Sequence, residues 1–401
     1  MTWAYEDGGP QRRQLVAGSL GIDAGSTLQC TTRTAPAATM VVGRHDRLYL
    51  LRHTGGDGAI SLVELIDPHT LEPIVTSPEL PAGPVWPGGA GVADDGSVHV
   101  VFGNHAHRLS PDLEVVASRR LPRERPYNSF VPLPGGYLAT KDFGGSRPGF
   151  PVAADQRDPC ELVVLDAQSL DVVDTLVLPE PSIARLSADG HDIYVVGDTS
   201  LLRVRFDGSR LVLDNEFTAL YRIDDGQTYG WDCVVEAGAA WFLDNGEGSE
   251  NFTGTLRGHG VSTAPLHLVK VDLRTGEIDR GEVCGKPGGL VANPPVVDAA
   301  RGIAVGYDTG NGVVTAFDTS TLEIRWQRDQ DHGSHLLLYA DSGELVTGDH
   351  ADVVVLDITT GQELARADTG SGMQSVLFPA PGADRDFYVC TFFTVTRVAV
   401  R

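Results

Sequence analysis

Short apolar segments recur along this chain, and the residue at the head of each is where chemistry could gather. In order these positions read Ala38, Gly89, Asn128, Ser182, Asp232, Asn293, His335 and Gln374, two small residues followed by six polar ones. Arranged around one axis, such side chains would converge on it. Carboxylate and amide oxygens suit a hard cation such as Ca²⁺, and imidazole suits Zn²⁺. Asp232, Asn128, Asn293 and His335 are therefore the candidate metal ligands, with calcium and zinc both open. Asp232 is the one carboxylate among them, thin compensation for a divalent ion. The competing reading is that these side chains cap strand ends around channel water. His335 could also serve as acid or base near neutral pH beside Asp232, which makes these two the candidate catalytic residues.

Other residues fall at the same level. His332 shares the RDQDHGSH loop with His335, His350 ends the next strand of the same repeat, and His105 and His107 occupy the equivalent loop of the second repeat. Lys141 and Arg185 break the local repeat, and either could hold an anionic group. Trp86, Tyr127, Tyr229 and Trp231 lie near segment starts and could wall a pocket with His332 and Gln374, or pack between repeats. Two long Gly-rich stretches, 143–159 and 245–265, interrupt otherwise tight connections and are expected to lie over one face. A column of aspartates, Asp142, Asp198, Asp244, Asp308 and Asp349, is so regular that turn capping explains it better than a cation ring.

The elements that must position these residues are strands. Runs such as Leu48 to Leu51, Val98 to Phe102, Ile193 to Val196 and Val353 to Leu356 are short, rich in β-branched residues and bounded by turn formers. No amphipathic helix of three turns is evident, so the chain is all-β. A unit of four strands repeats every 35–60 residues, roughly the spacing of propeller blades. A second aspartate series, Asp67, Asp166, Asp272, Asp318 and Asp357, marks the turn before each fourth strand, where a carboxylate accepts backbone N–H bonds. The chain is expected to be one β-propeller domain over 1–401, with about eight four-stranded blades and seven as the alternative. Residues 1–11 are expected to be flexible. The last repeat supplies three strands, and pairing residues 12–19 with Val395–Arg401 would complete it and leave no open edge.

Two segments, ELVTGDHADVVVLDITTGQELA and GIAVGYDTGNGVVTAFDTSTLEIRW, resemble the blade repeat of quinoprotein-type (pyrroloquinoline-quinone-like) propellers. The resemblance covers about half the chain and implies the fold. The adjacent cysteine pair of quinoprotein alcohol dehydrogenases is missing, and Trp326 alone occupies the blade-docking tryptophan position. The ring of segment starts also looks like the calcium site of six-bladed lactonases and phosphotriesterases, although it lacks their glutamate.

Charge narrows the partners. With 54 acidic residues against 31 basic, the formal net charge is −23, which repels phosphate backbones and anionic lipid. Neither nucleic acid nor membrane is an expected partner. Five scattered cysteines and the polar MTWAYEDGGPQRR start point to a reducing, cytoplasmic setting. The expected protein is a monomer or small homo-oligomer that binds a small molecule at an axial pocket. Hydrolase, lyase or isomerase chemistry of a polar or metal-assisted kind would fit such a pocket. A non-catalytic interaction or sensor propeller is the alternative. A quinoprotein-like oxidoreductase comes third, since the acidic balance argues against binding pyrroloquinoline quinone.

Overall fold

The computed structural model describes residues 3–53, 61–84, 87–145, 156–249, 256–331, 335–371, 375–380 and 385–401. Among these, the strands form eight sheets whose consecutive strands are antiparallel, the blades of a β-propeller. Blades 1 to 7 span 38–76, 89–120, 131–177, 187–213, 234–282, 296–329 and 337–368. Blade 8 takes its three inner strands from 376–400 and its outermost strand from Leu28–Thr34.

Burial follows strand position. The second and third strands of a blade are covered on both faces by neighbouring blades, so they read as continuous apolar runs. Val98–Phe102 is buried at every position, and Asp352–Asp357 buries its four central residues. Outermost strands alternate exposed and half-buried residues, as in Val115–Arg120, Ile324–Asp329 and Glu363–Asp368. That is the period-2 pattern of a sheet with one wet face.

The turn aspartates do what their spacing predicts. Oδ1 of Asp67, Asp166, Asp272, Asp318 and Asp357 each accepts the backbone N–H groups two and three residues on. The residue four positions on adopts a left-handed conformation. In three blades that residue is a leucine rather than a glycine: Leu71, Leu170 and Leu322, with φ of +65°, +61° and +55°. Leu71 and Leu170 are fully buried. A left-handed leucine costs about 1–2 kcal/mol, and burying its side chain recovers about 1.5–3 kcal/mol. In blade 7 the position is Gly361, and a Cβ there would meet the Trp326 ring at 2.7 Å.

Closure uses a different strand from the one expected. Leu28–Thr34 pairs antiparallel along the full length of Thr394–Val400, from Leu28 opposite Val400 to Thr34 opposite Thr394. Residues 12–19 go elsewhere. Leu15–Val16 pairs in parallel with Leu338–Tyr339, inside the innermost strand of blade 7. Residues 3–11 run beside the inner strands, with Trp3, Ala4, Glu6 and Asp7 buried.

This N-terminal segment passes round the inner strands. Trp3 exchanges backbone hydrogen bonds with Gly43 of blade 1, and Val92 of blade 2 donates to Ala4 O. Ala188 of blade 4 donates to Pro10 O, Val235 of blade 5 to Gln11 O, and Leu338 of blade 7 to Gln14 O. Gln14 Nε2 also donates to Pro295 O at 2.8 Å, just ahead of blade 6. Glu344 then fastens the exit, accepting from the N–H groups of Leu20 at 2.6 Å and Ile22 at 2.7 Å. Two glycines of the innermost strand of blade 2, Gly89–Val92, make room for this pass. A Cβ on Gly89 would meet Glu6 Oε1 at 2.3 Å, and one on Gly91 would meet the Tyr5 ring at 2.2 Å.

Candidate functional site at the axial mouth

The loops entering the innermost strands gather at one end of the axis. There Asn128, Arg185, Trp231, Asp232 and His335 line a cavity of about 60 Å³ with Thr39, Pro87, Ala292, Val376 and Phe392. Five of the sequence-selected residues are thus brought together: Asn128, Arg185, Trp231, Asp232 and His335. Thr39, Val376 and Phe392 were not anticipated, because nothing in an isolated β-branched or aromatic residue marks it as axial.

Two of the lining polar groups have no hydrogen-bond partner although they are buried: Asn128 Oδ1 and Trp231 Nε1. Leaving such a group unsatisfied costs about 1–3 kcal/mol. Asp232, by contrast, is fully engaged. Its Oδ1 accepts the Arg185 backbone N–H at 2.6 Å, and its Oδ2 accepts from Arg12 Nη2 at 3.2 Å.

Arg12 is the centre of a buried ion cluster. Its side chain is 1% exposed and donates to Glu6 Oε2 at 3.1 Å, to Asp7 Oδ2 and to Asp232. His335 Nδ1 lies 3.4 Å from Asp7 Oδ1, and Arg185 Nε lies 3.7 Å from Glu6 Oε2. Asp7, Arg12 and Gln14 all hold positive φ, of 48°, 55° and 55°. Such strain persists only where surrounding contacts fix it. Three carboxylates face two guanidiniums here, so one negative charge lacks a counterion unless a proton joins the cluster. Burial raises Glu6, against the pull of Arg185 and Arg12, to about 7. Burial acts on Asp7 in the same sense, but Arg12 and His335 overcome it and hold that carboxyl well below its ordinary range.

The remaining candidates lie apart from the cavity. Asn293 is buried and donates from Nδ2 to Pro294 O at 3.3 Å. Tyr127 packs between blades 2 and 3 with Val101 and Phe130, and its hydroxyl accepts the Arg123 N–H at 3.3 Å. Lys141 is wholly buried and donates to Ser182 O at 3.1 Å. Burial lowers its pKa against the opposing charges of Cys160, Asp142 and Asp232. Tyr229 packs with Phe143 and Ile183, and the Arg157 guanidinium sits 4.1 Å above its ring. Trp86, His332 and Gln374 lie outside the described residues, as does much of the two long loops.

The described candidate histidines outside the mouth, His105, His107 and His350, do not converge on it. His105 Nδ1 bonds Ala82 O at 2.7 Å, and His107 bonds Pro81 O at 2.7 Å and Ser118 Oγ at 2.9 Å, all within the blade 2 region. His350 holds φ of +58° in a turn of blade 7. Among the described residues no group of three or more His, Cys, Asp or Glu is placed to hold a metal ion.

The second aspartate column caps loops, as its regularity implies. Asp244 accepts the His267 N–H at 2.7 Å, Asp308 accepts those of Leu290 at 3.1 Å and Asn311 at 3.0 Å, and Asp349 accepts that of Asp331 at 2.9 Å. Asp142 accepts the Glu161 N–H and pairs with Arg125 at 2.9 Å. Asp198 instead pairs with the buried Arg157 at 3.0 Å, and burial raises its carboxyl to about 6. Asp244 also holds the His267 ring, Oδ2 to Nδ1 at 2.9 Å, and takes a hydrogen bond from Gln227 Nε2 at 2.7 Å. Sequence reasoning passed over His267 because it stands alone at the start of a strand.

No protein-family model matches the sequence, and no curated protein is similar to it. Solved structures do share the architecture. BamB from Moraxella catarrhalis superposes with a TM-score of 0.63 at 14% identity, over 93% of this chain and 98% of that one. Quinohemoprotein alcohol dehydrogenase from Comamonas testosteroni superposes with a TM-score of 0.67 at 11% identity, over 99% of this chain and 80% of that one. AztD from Citrobacter koseri gives 0.52 at 14% identity, over 87% and 98%. At such identities the likeness is one of fold, the propeller expected from the blade repeat.

Proposed function

We propose that this protein is a small-molecule-binding propeller that takes a small anionic group at its axial mouth. The observation that carries this reading is the convergence of two unsatisfied buried atoms, Asn128 Oδ1 and Trp231 Nε1, with Arg185 on one cavity. Trp231 Nε1 and the Arg185 guanidinium both donate, which suits a carboxylate or similar anion, while Asn128 Oδ1 would accept from a hydroxyl or amide elsewhere on the ligand. The cavity, about 60 Å³, is far below the roughly 300–1,000 Å³ of drug-sized sites. A larger ligand could enter only by its end.

Catalysis at this mouth would rest on His335, held by Asp7, as the group that takes or gives a proton in hydrolase- or lyase-type chemistry. In this reading Asp232 anchors the site, since both its oxygens are already engaged. A redox quinone of the kind carried by quinoproteins fits poorly. Its several carboxylates need several cationic partners, and among the described residues Arg185 is the one guanidinium lining the cavity. Five free cysteines support a reducing, cytoplasmic setting.

Calorimetric titration with formate, acetate and acetamide tests the reading. The carboxylates should bind more tightly than the amide, and Arg185→Ala should abolish that preference. Equal affinity for acetate in the wild type and Arg185→Ala, or no binding by either, would remove the basis for an anion site.

A further inference from the structure

The inserted N-terminal segment brings its own carboxylate to the candidate anion site. Arg185 both lines the cavity and faces Glu6, with Nε 3.7 Å from Oε2, a separation too long for a hydrogen bond. Glu6 Oε1 is buried with no partner at all, pressed against Gly89. Glu6 is thus held by Arg12 through Oε2 at 3.1 Å while Oε1 goes unsatisfied, and it makes no hydrogen bond to Arg185 where a ligand carboxylate could.

We propose, resting on the anion-site reading above, that Glu6 is an intramolecular competitor for Arg185, and that an anionic ligand binds together with one proton taken up by Glu6. The charge balance requires something of this kind. Glu6, Asp7 and Asp232 already outnumber Arg12 and Arg185, and a ligand carboxylate would add a second uncompensated charge to a buried cluster. Protonating Glu6 removes one of these and frees Arg185 for the newcomer, while Arg12 keeps Asp7 and Asp232.

The groups facing Glu6 are few. Arg12 and Asp7 come from its own segment and Arg185 from the loop entering blade 4, while blade 2 presents the uncharged Gly89. His335 faces Asp7 rather than Glu6. Its imidazole is the other proton-carrying side chain at the mouth, so the experiment has to separate the two. Burial holds the Glu6 carboxyl at about 7, within the range where such coupling is readable.

Acetate titrations at about pH 6 and about pH 8 should show roughly a tenfold weakening at the higher pH. Acetamide, which leaves the charge balance unchanged, should show no such trend. In Glu6→Gln the acetate affinity should become nearly independent of pH and stay at its low-pH value. A wild-type measurement guards against misfolding of the variant. Titration in buffers of different ionisation enthalpy should reveal uptake of most of one proton per acetate near pH 8. Zero uptake overturns the proposal, and so does a Glu6→Gln profile with the wild-type slope, which would hand the proton to His335. Failure of the anion site itself is a different result: acetate binding that ignores Arg185→Ala, or no binding at any pH, ends both readings.

Discussion

Arg12 Nη2 lies 3.2 Å from Asp232 Oδ2 across 220 residues of chain, joining the segment inside the channel to the loop that enters blade 5. Arg12 also pairs with Glu6 and Asp7. Arg12→Ala would leave three carboxylates buried around an empty space. The expected loss is about 3–5 kcal/mol in urea unfolding, as for removal of one partner from a buried ion pair. Asp232→Asn keeps an oxygen for the Arg185 N–H and should lose less. An Arg12→Ala protein as stable as the wild type would show that the cluster does not hold the segment.

Closure can be tested by its hydrogen-bond phase. Thr27 and Arg401 exchange both backbone bonds at 2.9 Å. Alternation along the ladder then makes Thr31 and Arg397 another bonded pair. Thr32 falls between, its N–H turned to the outer edge of blade 8. Thr31→Pro removes a ladder hydrogen bond and should lower stability by about 1–3 kcal/mol. Thr32→Pro should cost clearly less, because edge strands tolerate proline where the N–H faces solvent. Thermal melts of the two variants distinguish them, and equal losses would contradict this register.

The left-handed leucines invite a contest between strain and burial. Leu71→Gly relieves φ of +65° but removes a side chain with no exposure at all. Leucine truncation in a core costs about 2–5 kcal/mol, against about 1–2 kcal/mol of backbone relief. The variant should be destabilised by about 1–3 kcal/mol on that balance. A gain in melting temperature would mean the strain dominates.

His267 and Asp244 set a pH dependence. Burial lowers the imidazole, but the Asp244 hydrogen bond and charge outweigh it, and its pKa is raised. Asp244 is raised as well, because its burial outweighs the pull of His267. A raised histidine stabilises the fold fully below its unfolded value of about 6.5, and the contribution fades as pH climbs through the folded value. His267→Gln should therefore lose most relative to wild type near pH 6, by about 1 kcal/mol. The gap should narrow toward about pH 8.5. Unfolding curves at both ends of that range decide it, and a gap that widens with pH would contradict the assignment.

The blades were legible because each repeats the same local physics: β-branched runs covered on two faces, then an aspartate that satisfies its own turn. The mouth was half legible. Asn128, Asp232 and His335 precede the inner strands of blades 3, 5 and 7, and their periodic place gave them away. Arg12, Glu6 and Asp7 were not, since a polar stretch rich in charge reads as solvated until its partners are known to be neighbours. Asp232 and His335 lie hundreds of residues away and carry no local sign of the pairing. One clue was present in the sequence. Gly89 and Gly91 are small where other blades are bulkier, and the space they leave belongs to Glu6 and Tyr5. Small residues facing an axis mark something that fills it. The shift of the closing strand from 12–19 to Leu28–Thr34 has the same origin, because both stretches have strand-like composition and only the inner ring selects between them.

The segment inside the channel also orders events in time. Thr32 meets Thr396 across 364 residues, so the partners of 28–34 leave the ribosome long after that strand does. Residues 3–22 have an even stranger wait: the last wall of the ring that encloses them is the blade that 28–34 finish. Until then the early chain must stay unpaired, its charges exposed and its strand open to other partners. A nascent protein of this design depends on its own completion, and a stalled or shortened chain would present those edges to chaperones or to one another.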